Sequence, residues 1–170
     1  IYTAKKRFRL TNNELKIPHL MGLQYVGSSR KYTGEFGVYA IKKGKITLTL
    51  LEKMVRKYYR PKEKQDRMLK MIHLKLDNLC YLPEMFNSYS ELYLFDVNHN
   101  PDSSFDSDYL LVHQIQDKIL HLGLVNVQGK EKGLCHCNSF ITTYSAERDY
   151  DILYRNLTRS YKIMKIVRED

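Results

Sequence analysis

A chain of 170 residues, with 43% hydrophobic and 28% charged residues, is long enough to bury a core and too apolar to stay disordered. No run approaches the roughly 20 apolar residues needed to cross a bilayer, and no signal-peptide core opens the chain, so no membrane span is expected. The net charge of +9 is divided: residues 1–75 hold 19 Lys and Arg against 5 Asp and Glu, and residues 76–170 hold 9 against 14.

The chain begins at Ile1 rather than Met, as a piece excised from a longer protein would. Cys80, Cys135 and Cys137 make an odd set, two of them too close in sequence for a secreted disulfide framework. A reducing compartment, nucleus or cytoplasm, is the expectation.

Residues 1–19 carry Lys5, Lys6, Arg7 and Arg9 with no sustained apolar period, and read as a basic arm ahead of one domain spanning 20–170. Leu23, Tyr25 and Val26 suggest a strand, followed by a glycine-rich turn bearing Arg30 and Lys31. From Phe36 to Leu50 the apolar positions alternate around Lys42, Lys43, Gly44 and Lys45, which predicts a β-hairpin with a lysine tip. Thr49 and Glu52 have capping-box spacing. In the helix they open, Leu51, Met54, Val55 and Tyr58 face a core while Lys53, Arg56, Lys57 and Arg60 form a cationic stripe.

Pro61 stops or kinks that helix, and Ile72, Leu74 and Leu76 alternate with polar residues as a strand. ELYLFDV reads as another strand. A helix is expected from Asp108, with Leu111, Val112, Ile115, Ile119 and Leu122 as its stripe and Gly123 closing it. Leu124–Val127 and Leu134–Thr143 form a second hairpin, and a long C-terminal helix opens at Ser145. These elements sum to an α+β fold: a mainly antiparallel sheet of six or seven strands with three helices, or alternatively a small β-barrel capped by the C-terminal helix.

Four constellations could carry chemistry. Cys135, His136 and Cys137 would alternate across a strand, so one zinc ion could not take all three, and half-buried structural thiols are expected. His113, Asp117 and His121 would line the polar side of the helix from Asp108. The stretch from Asp96 to Asp102 starts like a calcium loop but places Pro101 where Gly is needed and Ser107 where a bidentate Glu closes the cage. Asp106 and Asp108 are explained by helix capping. No metal or cofactor is expected, and no nucleophile elbow or phosphate-binding glycine loop occurs.

The basic surface therefore dominates the functional reading. Lys5, Lys6, Arg7, Arg9, Arg30, Lys31, Lys42, Lys43, Lys45, Lys53, Arg56, Lys57 and Arg60 would contact phosphates, with Tyr25, Tyr32, Tyr39, Tyr58 and Tyr59 interleaved where bases could stack. The expectation is a non-enzymatic domain that binds DNA or RNA, or alternatively an interaction module that docks an acidic protein or a sister subunit.

Overall fold

The computed structural model describes residues 1–3, 7–11, 13–26, 32–86, 89–96, 98, 105–129, 133–146, 157–161 and 163–165. The chain forms two compact units, one of Asn13–Cys80 and the other of Ile1–Asn12 with Tyr81–Asp170. The first unit carries 15 Lys and Arg against 6 Asp and Glu, a net of +9, and the second 13 against 13. The whole formal charge of the protein thus sits on one unit.

That basic unit is helical. Its described α-helices are α1 (Ile17–Leu20), α2 (Gly34–Lys42), α3 (Leu48–Tyr58) and α4 (Lys62–Asn78), with a 3₁₀ turn at Leu23–Val26 in place of the expected first strand. The lysine-tipped hairpin is corrected to the junction of α2 and α3. Gly44 has φ +64°, its amide donates to the Ile41 carbonyl, and the Lys45 amide reaches back to the Ala40 carbonyl. This is a Schellman stop, so the lysines belong to a helix C-terminus, whose dipole favours cations.

α3 matches the sequence reading closely. Its cap falls two residues early, on Thr47, whose hydroxyl accepts from the Leu50 amide. Leu51 and Val55 are buried, while Lys53, Arg56, Lys57 and Arg60 are exposed. Glu52 accepts from His73 Nε2 at 2.9 Å instead of closing a capping box.

Pro61 separates two helices. Gln65 Nε2 secures the corner by donating to the Tyr59 carbonyl at 2.6 Å. The strand expected at 72–76 is corrected to the last turns of α4, where Leu69, Ile72 and Leu76 recur at helical spacing; Leu69 and Ile72 join Leu23, Val26, Leu51 and Val55 in the core of this unit. Lys75 lies on the same side and is buried, its Nζ 5.9 Å from the centroid of the Tyr25 ring. Burial pulls the Lys75 ammonium down to about 8, and burial, Lys75 and Lys16 together lower His19.

The second unit is built on a six-stranded sheet of order β2-β6-β5-β4-β3-β7: β2 (Arg9–Thr11), β3 (Glu91–Phe95), β4 (Tyr109–Ile115), β5 (Lys118–Asn126), β6 (Leu134–Tyr144) and β7 (Leu157–Tyr161). β2 runs parallel to β6 and the other pairs are antiparallel. A separate antiparallel pair joins β1 (Tyr2–Thr3) to β8 (Ile163–Lys165). Mixed α+β architecture and a mainly antiparallel sheet therefore hold.

The finer expectations fail. The helix from Asp108 is the β4–β5 hairpin, and the C-terminal helix is strand over 157–161 and 163–165; residues 147–156, 162 and 166–170 lie outside the described set. Four α-helices are present among the described residues instead of three, and no helix caps a barrel there.

Both sheet faces bury apolar residues, which explains the misreading. Leu111, Leu120, Leu122 and Phe140 point to one side, as the strand pairing requires, and Leu110, Val112 and Ile119 with Phe95 and Phe105 to the other. A strand buried on both faces loses its alternation. Phe8 packs edge-on against Tyr109 at 4.9 Å between centroids and against Tyr161 at 5.5 Å.

Two stability measurements check this packing. A Cβ at Gly123 would strike Ser107 Oγ and come within 2.8 Å of the Phe105 ring, so Gly123→Ala should cost about 1–3 kcal/mol in denaturant unfolding. For Lys75, the unfolded ammonium titrates at 10.5 and the folded one at about 8, so between these values only the unfolded chain holds the proton and stability rises with pH. Urea titrations of Lys75→Met should show that alkaline rise flattened.

Candidate active site

The end of the β4–β5 hairpin carries His113, Gln114, Gln116, Asp117 and Lys118. Ile115 pairs with Lys118 across a two-residue turn, and Gln116 adopts φ +57° at the position where glycine is usual. The Gln114 amide steadies that turn by donating to the Gln116 carbonyl at 3.1 Å. Because His113 pairs with Leu120, and Leu120 is two residues from Lys118, His113 and Lys118 share a face as diagonal neighbours, about 7–8 Å apart along the backbone.

Beside them runs the 3₁₀ segment Leu79–Met85, in which Tyr81 and Glu84 are three residues apart and so lie on one side. Lys118 Nζ sits 5.5 Å from the centroid of the Tyr81 ring. The Glu84 carboxylate acts on His113, partly opposing the burial that lowers its pKa.

The decisive contact is made by Ser90, immediately before β3. Its buried hydroxyl donates to the Met85 carbonyl at 2.6 Å and lies 3.0 Å from His113 Nδ1. A serine has one hydroxyl proton, and a carbonyl can only accept. With that proton given to Met85, Ser90 Oγ must accept from His113 Nδ1–H. The imidazole is thereby held as its Nδ1–H tautomer, with the lone pair on Nε2. Burial lowers the His113 pKa, so near neutrality the ring is in the neutral form that can take a proton.

Of the sequence-predicted constellations, only His113 enters this site. Asp117 is exposed in the turn, where its carbonyl accepts from the Ser145 amide, and His121 is buried on the opposite sheet face, paired with Val112 and Ile141. The groove expected of His113, Asp117 and His121 is absent because the segment is a hairpin, and alternation separates the two imidazoles.

Cys135 and Cys137 do share one face of β6, neither of them in a disulfide, and burial pushes Cys137 up to about 11. Asp108 Oδ2 accepts from the Asn126 amide at 2.7 Å, a latch between loop and strand, and not the helix cap expected there. Asp96 Oδ1 accepts from the Asn98 backbone and side chain at 2.9 Å; most of the remaining calcium-like loop lies outside the described residues. Among the described residues no group of three His, Cys, Asp or Glu could hold a metal ion.

The expected cationic residues fall in both units. Arg7 and Arg9 are exposed in the sheet unit, and Lys5, Lys6, Arg30 and Lys31 lie outside the described residues. In the helical unit Lys42 donates to Glu14 at 2.7 Å, Lys43 and Lys45 flank the Tyr39 ring, and Lys53, Arg56, Lys57 and Arg60 are exposed along and beyond α3.

Ser90, Lys118, Tyr81 and Glu84 were not singled out by sequence reasoning. A serine before a strand and a lysine after a turn carry no spacing signature, and they meet only through tertiary pairing.

No helix among the described residues is long and apolar enough to cross a membrane. Neither a curated protein nor a solved structure matches the chain. A family model does, over residues 1–170, and its description is of a nuclease, so the non-enzymatic reading is corrected to a catalytic one with nucleic acid as substrate. The chain belongs to the phage-Barnase-EndoU-ColicinE5/D-RelE like nuclease4 family, PBECR4.

Proposed function

We propose that the protein is a ribonuclease in which His113 is the general base and Lys118 the cation that offsets phosphorane charge. The observation that carries this is the chain of hydrogen bonds from His113 Nδ1 through Ser90 to the Met85 carbonyl. It leaves Nε2 as a base of defined tautomer on the sheet face that also carries Lys118. General-base catalysis contributes about 10²–10⁴ in rate when geometry and protonation are matched.

A lone base with a lone cation suits RNA better than DNA. The RNA 2′-hydroxyl is already placed beside the phosphorus, so its attack has the effective molarity of an intramolecular nucleophile. In this reaction Nε2 removes the 2′-hydroxyl proton, the oxygen bonds to phosphorus, and Lys118 balances the charge on the non-bridging oxygens. The 5′ oxygen leaves with a proton taken from water, and the product is a 2′,3′-cyclic phosphate. The helical unit, with its net charge of +9 and exposed Lys53, Arg56, Lys57 and Arg60, suits phosphate contacts with the substrate. Lys42, Lys43 and Lys45 on the same unit, and Arg7 and Arg9 on the sheet unit, are further cations of this kind.

His113→Ala should lower cleavage of a fluorogenic RNA by about 10²–10⁴. Replacement of the 2′-hydroxyl at the scissile position by hydrogen should abolish the cut, and cleavage of that substrate at the original rate would overturn the mechanism. In the wild type, the pH profile of kcat/KM should show one acidic limb. The active form is the deprotonated one and burial lowers the pKa, so the limb has its midpoint below the ordinary imidazole value of 6.5. Ser90→Ala should reduce kcat about tenfold, the equivalent of one hydrogen bond, with substrate affinity unchanged.

Reversing Arg56, Lys57 and Arg60 to Glu should instead weaken binding and flatten its salt dependence. Removing one phosphate neutralisation reduces the slope of log K against log salt by roughly 0.7 for a single strand. Unaltered affinity and slope at low salt would remove these residues from the substrate path.

A further inference from the structure

α2 turns two sides of opposite character outward and inward. Gly37, Val38 and Ala40 are buried, and a Cβ at Gly37 would meet the Tyr32 carbonyl and come within 2.7 Å of the Pro18 ring. The other side carries Phe36 and Tyr39 with 73% and 54% of their surfaces exposed, followed by Lys43. Positions 36, 39 and 43 are spaced i, i+3 and i+7, so the three make one stripe. Lys43 Nζ lies 5.9 Å and Lys45 Nζ 5.4 Å from the Tyr39 ring centroid, so the aromatic surface is bordered by cations.

An exposed phenylalanine next to an exposed tyrosine forgoes the stabilisation that burial of a large apolar side chain returns. An acidic partner would need only the lysines, and duplex nucleic acid would need only cations, because its base faces are already stacked on one another. Exposed rings, one of them with ammonium groups over it, match a ligand that presents flat π-faces and phosphates together. A second feature of the same kind occurs at the end of α3, where Tyr58 is exposed, packs edge-on against Tyr59 at 4.9 Å, and Lys64 Nζ stands 5.1 Å from the Tyr59 ring centroid.

We infer that Phe36 and Tyr39, bordered by Lys43 and Lys45, form a stacking platform for unpaired bases, making the enzyme selective for single-stranded over duplex nucleic acid. This rests on the nuclease reading and adds the substrate's strandedness to it. Base stacking on an aromatic side chain is tolerant of base identity, since every base has a π-face. The platform therefore selects strandedness without selecting sequence.

The test is fluorescence anisotropy on the full chain with a labelled single-stranded 2′-O-methyl oligonucleotide, which a 2′-hydroxyl mechanism cannot cut, and with the duplex of the same sequence. Phe36→Ala with Tyr39→Ala should weaken single-strand binding about 10–100-fold and duplex binding by less than about twofold. Phe36→Trp with Tyr39→Trp should retain single-strand affinity. Both side chains are exposed, so thermal melts should stay at the wild-type midpoint.

Unchanged single-strand affinity in the double alanine variant, or equal losses for single strand and duplex, would overturn the inference. His113→Ala separates it from the catalytic reading. Loss of cleavage with intact affinity there upholds the nuclease site whatever the platform does, whereas retained cleavage there would sink the site and leave the binding result to stand alone.

Discussion

One proton organises the proposed chemistry. The Ser90 hydroxyl can donate once, and the Met85 carbonyl at 2.6 Å receives that donation. His113 Nδ1 must then be the donor at 3.0 Å, and Nε2 is left basic. This works only because the 3₁₀ segment ending at Met85 is held beside the start of β3, and because β4 presents His113 on the same face as Lys118. Ser90 and Met85 are themselves buried, which keeps water from competing for either hydrogen bond.

The two compact units differ in formal charge. The sheet unit has no net formal charge, and the helical unit carries all of the +9. A cationic unit concentrates a polyanionic substrate within the reach of its field, about 8 Å at physiological salt. The buried Lys75 gives the helical unit a cost at neutral pH that its exposed Lys53, Arg56, Lys57 and Arg60 do not share.

What could be read along the chain depended on how many faces each element buries. α3 is exposed on one side, so Leu51 and Val55 against Lys53, Arg56 and Lys57 gave it away, while its cap slipped from Thr49 to Thr47 and Tyr58, expected in the core, is exposed. β4 and β5 are buried on both sides, so Leu111, Val112, Ile115 and Ile119 satisfied helical spacing as well as strand pairing. The turn that would have decided the matter is Gln116-Asp117, without the glycine that marks most two-residue hairpins. The Lys42–Lys45 tip failed for the opposite reason, since Lys-Lys-Gly serves equally as a hairpin loop and as a helix stop. The charge division persists in weaker form, +9 against 0 between the units where the two halves of the chain give +14 against −5, and it points to a polyanion or an acidic partner without identifying a reaction. His113 was noticed for its spacing to Asp117 and His121, and neither of those residues is its partner. Ser90 and Lys118 were invisible because their roles arise from strand register and from a carbonyl 5 residues away, neither of which leaves a local pattern.

The tautomer of His113 is the claim on which the catalytic account turns, and ¹⁵N-detected NMR of imidazole-labelled protein near neutral pH reads it directly. The account predicts a protonated, pyrrole-like Nδ1 and an unprotonated, pyridine-like Nε2 for His113, with both signals moving toward the averaged tautomer values in Ser90→Ala. A pyridine-like Nδ1 with a protonated Nε2, or tautomer averaging already present in the wild type, would contradict it.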